Sequence, residues 1–444
     1  MTQSLLTPSQ LSRRSLLRGA AVGAGVVAVP GLLAACSGGG GGSGSSGAAK
    51  QTITFGSNYS DDIPKKAIAD MVAAYQTKTG NTVKVNTTAH GDYQTNITRY
   101  LQANPDDIGA WFAGYRMQFF AQKGYLADVS DVWGGLTGFN DALKQASTGA
   151  DGKQYFVPLY NYPWALFYRK SVFDAKGYTA PKTWDDYVAT AKKMKADGMT
   201  PIGFSDKDGW PAMGTFDYIN MRANGYQFHV DLMAGKESWT SDKVKNVFKM
   251  WASLFDQGLY QQGSLGRTWE EGGTSFGKKE VGFVVFGTPH VALQVPKEQL
   301  DDVVIIPFPT IDPANGTDSV EAPIDGFVLP AKAKNKTGGK DLLKYIGTAD
   351  AENTYLKTDP TNIAVNTAAD TSGYSKLQKA AVELTSQAKH VSQYLDRDTR
   401  PDFAQTVMIK AFQSFIDKHS SSDIDALCSS IEDQKKSIFA TPVS

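Results

Sequence analysis

Residues 52 to 111 alternate strand and helix patterns at a spacing that leaves few folds open. Thr52-Ile53-Thr54-Phe55 reads as a short strand. The next segment, 64–79, places Ile68, Met71, Val72 and Tyr75 on one helical face, with Pro64 in the first turn and Gly80 just past the end. Thr82-Val83-Lys84-Val85-Asn86 alternates as a second strand, 92–102 reads as a second helix, and Asp107-Ile108-Gly109-Ala110-Trp111 as a third strand. Strands joined by single helices pair by right-handed crossovers into a parallel sheet, which fixes an α/β fold. Such sheets bind ligands at the carboxyl ends of their strands, here 57–62, 89–92 and 111–116. The pattern continues through strands at 155–160, 166–168 and 281–286, a helix opened by a Thr183–Asp186 capping box, and an apolar helical stripe of Val247, Phe248, Trp251, Leu254 and Phe255. From Phe327-Val328-Leu329-Pro330 onward the pattern is mostly helical.

Residues 1–35 read as an export signal rather than as part of this fold. Arg13 and Arg14 form a twin-arginine-like pair, an apolar run over 19–33 follows, and the run is shorter than the about 20 residues that a spanning helix needs. It ends in Leu33-Ala34-Ala35-Cys36, which resembles a bacterial lipobox, so Cys36 is the expected site of lipidation. An uncleaved anchor helix is the alternative, and it leaves the remainder on the same outer side of the membrane. The rest of 36–49 is nearly all Gly, Ser and Ala, too poor in apolar surface to order itself, and reads as a flexible tether.

Charge and cysteine content narrow what lies beyond the tether. The chain has 45 basic and 45 acidic residues; losing Arg13, Arg14 and Arg18 with the signal leaves 42 against 45, a net charge of −3. Without a basic stripe, nucleic acid is not an expected partner. Cys428 is the one cysteine after Cys36. No disulfide can then form within the domain, and stability must come from a core that a chain of this size can bury. A weakly charged surface rich in Tyr, Phe and Trp suits a neutral, polar ligand with apolar faces, as sugars are.

Several blocks in a fixed order carry a resemblance. They are Ala121-Gln122-Lys123-Gly124-Tyr125-Leu126, Asp151-Gly152-Lys153-Gln154-Tyr155-Phe156-Val157-Pro158, Leu166-Phe167-Tyr168-Arg169-Lys170-Ser171-Val172-Phe173, Pro181-Lys182-Thr183-Trp184-Asp185-Asp186, Phe276-Gly277-Lys278 and Phe286-Gly287-Thr288-Pro289. Together these resemble the maltose- and multiple-sugar-binding family of extracellular solute-binding proteins. The resemblance implies an α/β, two-lobe periplasmic-binding-protein-like fold with discontinuous lobes, a hinge and an interlobe ligand cleft. Lobe one is then 50–157 plus 326–362, and lobe two 158–325 plus 363–444. It further implies a lipid-anchored monomer that binds a mono- or oligosaccharide outside the membrane and hands it to the permease of an ABC importer, without a cofactor, a metal or catalysis.

Sugar recognition needs flat aromatic faces for the pyranose C–H surface and planar polar groups for its hydroxyls. Trp210, in the polar loop Asp206-Lys207-Asp208-Gly209-Trp210-Pro211, lies where the family places a stacking aromatic. Asn58, Tyr59 and Asp62 follow the first strand, His90 and Asp92 end the second, and Trp111, Tyr115 and Arg116 close the third. Asn161 and Tyr162 fall in the crossover after Val157-Pro158, while Asp325 and Gly326 precede the return strand. Each of these can equally be an ordinary solvated loop residue. Two departures from the family stand out. Gly114-Tyr115 replaces the acid of an Asp-Arg pair, and Gly287 is followed by Thr288-Pro289-His290 where relatives carry a Trp, so His290 is a candidate and a maltodextrin is disfavoured. In Tyr394-Leu395-Asp396-Arg397-Asp398-Thr399-Arg400, either Tyr394, Asp398 or Arg400 reaches the cleft or the run is a surface charge cluster.

Enzyme readings find less support. Gly272-Gly273-Thr274-Ser275-Phe276-Gly277-Lys278-Lys279 approaches a phosphate-binding loop but has Lys279 where a hydroxyl must follow the lysine, and its strand comes after the glycines. A secreted glycoside hydrolase would share the aromatics and needs two facing carboxylates; Asp61-Asp62 and Glu270-Glu271 are adjacent pairs that point apart. A peptide or polyamine binder is a third class, and it would want a dedicated charge in the cleft.

Overall fold

The computed structural model describes residues 50–441. The signal, the lipobox with Cys36 and the tether therefore lie outside the described residues. Strand β1 (Thr52–Ser57), the helix Asp62–Thr79, β2 (Thr82–Thr87), the helix His90–Gln102 and β3 (Ile108–Phe112) follow the expected order. The first helix buries Ala67, Ile68, Met71, Val72 and Tyr75. It stops at Gly80, which takes φ 73° and returns its N–H to Gln76 O at 2.8 Å, a conformation that favours glycine. As the alternation required, β1 pairs parallel with both β2 and β3.

Two sheets organise the rest. The larger adds β4 (Phe156–Asn161), β10 (Ile324–Val328) and β11 (Ile363–Ala364), in the order β11-β4-β10-β3-β1-β2. Its returning strand β10 runs antiparallel to β3 and β4, a mixed arrangement that the parallel opening did not reveal. The second sheet has the order β6-β7-β5-β8, built from β5 (Trp164–Arg169), β6 (Thr200–Ile202), β7 (Val281–Gly287) and β8 (Val303–Ile306). A small parallel pair joins β9 (Ser319–Glu321) to β12 (His390–Ser392). The chain moves from one large sheet to the other directly between β4 and β5, so the two α/β layers meet along this crossing. No helix among the described residues is long and apolar enough to cross a membrane.

The apolar stripe of the helix Asp242–Asp256 is core: Trp251 is fully buried and donates Nε1–H to Tyr260 Oη at 3.0 Å. Trp133 donates to Phe156 O at 2.8 Å, and Trp239 stacks on Phe216. The glycine-rich run 272–279 is no phosphate loop; it lies in the helix Trp269–Gly277, opened by a capping box between Thr268 and Glu271.

Some boundaries move, and with them some expected roles. His90 and Asp92 stand in the first turn of a helix, not at a strand end. Strand β4 continues to Asn161, so Asn161 is a strand residue and only Tyr162 and Pro163 form the bend. Asp325 and Gly326 lie within β10 itself. There Gly326 is packed against β4: a Cβ would overlap the Val157 carbonyl and come within 2.7 Å of Phe156 Cζ. Gly326→Ala should therefore destabilise the protein by about 3 kcal/mol, because a sheet backbone cannot step aside. A urea melt checks it, and an unchanged midpoint would show that β10 has room.

Candidate functional site

Between the two large sheets lies a cavity whose walls come from both. One part, about 400 Å³, is lined by His90, Gln94, Phe112, Arg116, Trp164 and Arg397 among others. An adjoining part, about 590 Å³, adds Asn58, Tyr59, Tyr160, Trp269, Asp325 and Asn362. His90, Tyr162, Trp210 and His290 line both, so the two form one cleft.

One wall is a chain of polar contacts. The helix His90–Gln102 sets His90 and Gln94 four residues apart on the same face. Gln94 Oε1 accepts from Arg116 Nη1 at 2.8 Å, which turns its amide NH2 onto His90 Nε2 at 2.6 Å. The other ring nitrogen, His90 Nδ1, lies 3.3 Å from Asn58 Nδ2. Burial, with Arg397 and Arg116 nearby, pulls the His90 pKa down to about 4, so the ring is neutral at pH 7. Beyond Arg116 comes Asp396, at 2.9 Å from Arg116 Nη1. The acid that the sequence lacks beside Arg116 is thus supplied from 280 residues later.

A second ion pair stands beside the first. Arg397 Nη1 donates to Asp325 Oδ1 at 2.7 Å and its Nη2 to Tyr162 Oη at 3.0 Å, while Tyr160 donates to Asp325 Oδ2 at 3.3 Å. Phe112 lies between the two guanidinium groups, 4.8 Å from that of Arg116 and 4.1 Å from that of Arg397, close enough for cation–π attraction to both. In these two pairs two cations and two anions cancel.

The opposite wall is aromatic. His290 sits at its centre, with ring centroids 5.2 Å from Trp210, 5.3 Å from Trp164 and 5.0 Å from Trp269. Trp164 meets Trp210 edge to face at 6.0 Å. Gly287 lets this wall close, since a Cβ there would come within 2.7 Å of His290 Nδ1 and 2.9 Å of Trp164 Nε1. Burial lowers the His290 pKa to about 3, so it too is neutral. Trp210 is the residue before the helix Pro211–Asn224, and its carbonyl accepts from Tyr394 Oη at 2.6 Å.

The cleft thus gathers Asn58, Tyr59, His90, Arg116, Tyr162, Trp210, His290 and Asp325 of the expected residues. The others fall outside its lining for reasons of periodicity. Trp111 and Phe112 alternate across β3; Phe112 faces the cleft and Trp111 packs behind it on Phe120 and Tyr93. Asn161 alternates in the same way between Tyr160 and Tyr162, which line it. Tyr115 precedes Arg116 on the helix Tyr115–Gln122 and is turned away by one helical step. Asp62 and Asp92 are exposed helix residues, while Asp61 and Gln94 take the inner positions. Gly287 acts by its smallness, and Gly326 is interior to the sheet.

In the charged run near the C-terminus, the cleft receives Tyr394, Asp396 and Arg397. Asp398 instead accepts from Gln393 N at 2.9 Å, and Arg400 pairs with Asp402 at 2.7 Å. Trp164, Trp269, Asp396 and Arg397 escaped sequence reasoning. Trp164 sits in an apolar strand where a Trp signals only core. Trp269, between a polar loop and a capping box, did carry a usable signal. Among the described residues no group of three or more His, Cys, Asp or Glu could hold a metal ion.

Comparison with known proteins gives the family of the chain. The family model for bacterial extracellular solute-binding protein matches residues 60–353. An uncharacterized ABC transporter extracellular-binding protein of Pyrococcus horikoshii is 27% identical over 259 residues, 57% of each chain. The multiple sugar-binding protein of Streptococcus mutans is 25% identical over 279 residues, 60% of this chain and 64% of that one. The chain thus spans less than two thirds of the length of these two curated relatives. Over the whole fold, it is similar to the bacterial solute receptor AcbH, described as having an exclusive preference for β-D-galactopyranose. That similarity is 46% identity with a TM-score of 0.85, covering 88% of this chain and 100% of that one. The family match takes in more than half of the sequence and both walls of the cleft up to β10, and on that ground the chain belongs to the bacterial extracellular solute-binding proteins.

Proposed function

We propose that the protein binds a sugar in this cleft and delivers it to the permease of an ABC transporter, without chemically changing it. The observation that carries the reading is the pairing of a charge-balanced polar wall with a wall of three tryptophans. Vicinal hydroxyls find planar donors and acceptors on one side, and the apolar ring face finds indole on the other. A peptide or polyamine would want a dedicated charge, but Arg116 pairs with Asp396 and Arg397 with Asp325, and the buried Asp359 is taken up by Tyr355, Thr361 and Asn362. A hydrolase would need a carboxyl pair free to work on a bond. Asp325 and Asp396 are each occupied by a guanidinium, which favours holding hydroxyls over cleaving between them.

The similarity to AcbH makes D-galactose the first sugar to try. Asn58, Tyr59, His90, Arg116, Tyr162, Trp164, Trp210, Trp269, His290, Asp325, Asp396 and Arg397 are the proposed ligand residues. In this reading 50–157 with 326–362 and 158–325 with 363–444 are the two lobes, closing about the three crossings between them. A lipid on Cys36 and the following tether hold the monomer outside the membrane within reach of its permease.

A thermal-shift panel of D-galactose, other mono- and oligosaccharides, peptides and polyamines tests this. A ligand at a hundred times its dissociation constant should add about 2.7 kcal/mol of stability. We expect a shift with a sugar that is recovered intact. A sugar consumed during the assay would turn the reading to a hydrolase, and a shift with amines or peptides alone would overturn the ligand class.

A further inference from the structure

Behind the cleft floor lies a group of ionisable side chains that the ligand does not reach. Asp217, on the helix Pro211–Asn224, and Glu321, on β9, are both wholly buried. Their carboxyl groups act on one another, and neither Glu321 oxygen nor Asp217 Oδ1 meets a donor. Two ionised carboxylates so enclosed would repel, whereas one proton between them lets them bond. Asp217 Oδ2 accepts one bond, from Leu395 N at 2.8 Å.

No cation pays for the missing proton. Arg222 is the nearest guanidinium, but its donors go to Phe308 O, Ser319 Oγ and Ser319 O. His229 is buried, stands with Nε2 4.0 Å from Asp217 Oδ1, and is held neutral because burial pulls its pKa down to about 3. From the Leu395–Asp398 helix, Asp396 and Asp398 add further negative charge, and Tyr218 and Tyr394 are the remaining titratable neighbours.

We propose that Asp217 and Glu321 share a proton and act together as the positioning pair that holds Asp396 and Arg397 in the cleft. Leu395, bonded to Asp217, directly precedes both. The residue before it, Tyr394, takes φ 131°, a strained conformation that persists only where its surroundings enforce it. Those surroundings are Asp217 on the Leu395 amide, and Trp210 O and Gly214 N on the Tyr394 hydroxyl at 2.6 and 3.0 Å. Glu321 also lies two residues before Pro323, which lines the cleft, and its N–H donates to Tyr218 Oη, whose own proton goes to Trp164 O. The pair thus ties together three pieces of the cleft floor.

Burial pushes the Asp217 pKa up to about 8 and that of Glu321 well above the carboxylate range; Asp217 raises Glu321 further, while the contact with Glu321 lowers Asp217. Groups with raised folded-state pKa stabilise the fold at low pH and lose that contribution as pH rises through the raised value. Loss of the shared proton sets two carboxylates against one another, so the pair must part and the Leu395 amide loses its partner.

Hydrogen exchange at the Leu395 amide of the ligand-free protein, corrected for intrinsic rates, reads this directly. Protection should fall about tenfold between about pH 7 and about pH 10 in the native protein and stay level in Glu321→Gln, whose amide supplies the donor at every pH. Should that variant not fold, Asp217→Asn keeps the acceptor for Leu395 and removes one of the two charges. Protection that is independent of pH in the native protein, or that falls equally in the variant, overturns the proposal. The consequence for ligand rests on the sugar reading: D-galactose affinity should weaken in parallel in the native protein alone. If galactose does not bind, the sugar found in the thermal panel takes its place; no sugar binding at any pH would sink the sugar reading, while the exchange result still decides the pair. Affinity that stays constant while protection falls would overturn the positioning role.

Discussion

Arg397→Met should lose about 3–5 kcal/mol of stability and all measurable sugar binding, the cost expected when one partner of a buried ion pair is removed. Arg397 and Asp325 are 6% and 8% exposed and meet at 2.7 Å. Without the guanidinium, Asp325 keeps one weak donor, Tyr160 at 3.3 Å, and its charge has nowhere to go but onto a proton. Burial already holds the Asp325 pKa above its ordinary value despite the arginine, and removing the arginine can only raise it further. A raised carboxyl pKa stabilises below the ordinary range and is lost as pH rises. The variant's deficit should therefore shrink toward acidic pH and widen toward neutrality, as urea melts across that range would register. Adding Asp325→Leu should restore most of the stability by removing the orphaned charge, yet leave sugar binding absent. A deficit that ignores pH, or a double variant no more stable than the single, would mean that Arg397 serves packing against Phe112 rather than charge balance.

How far the sequence foretold this site follows from how local its causes are. The opening strands and helices were legible because hydrophobic period and capping residues act within a turn or two. The Thr183–Asp186 capping box and the buried stripe around Trp251 are where their local signals put them. The segments that follow the first three strands are legible too, and they bring Asn58, His90 and Arg116 to one place, the last two from the first turns of helices. What escaped was sidedness: Trp111 against Phe112, Asn161 against Tyr162, and Asp92 against Gln94 differ by one or two residues and face opposite ways. Such choices turn on where a strand or helix begins, which is the least local thing about it. The partners of the ion pairs escaped for a stronger reason. Nothing near Arg116 announces Asp396, and nothing near Asp325 announces Arg397; only the folded course of the C-terminal stretch joins them. Glu321 is likewise buried near Asp217 by the fold, which no sequence spacing could suggest.

Trp210→Ala should weaken sugar binding about 100-fold, which is about 2.7 kcal/mol, while costing the free protein far less stability than a core tryptophan would. In the sequence Trp210 stands in a polar loop, among residues that offer an indole no apolar partner. The structure shows that it does pack, edge to face on Trp164 and against His290, but with its ring only partly buried and turned toward the cleft. Its hydrogen bonds to the fold, from Tyr394 Oη and Met213 N, both go to its backbone carbonyl, which alanine retains. The side chain's remaining work is to present a flat face opposite the polar wall. Trp251 offers the contrast: it is wholly enclosed and its Nε1–H is bonded to Tyr260, so truncation there would be paid in stability and not in affinity. Titration calorimetry with the sugar found in the thermal screen, beside a melt of the free variant, separates the two roles. Trp210→Phe should recover much of the affinity, because a smaller flat face still covers the pyranose C–H surface. An alanine variant with native affinity would remove Trp210 from the site, and the aromatic wall would then consist of Trp164 and Trp269 around His290.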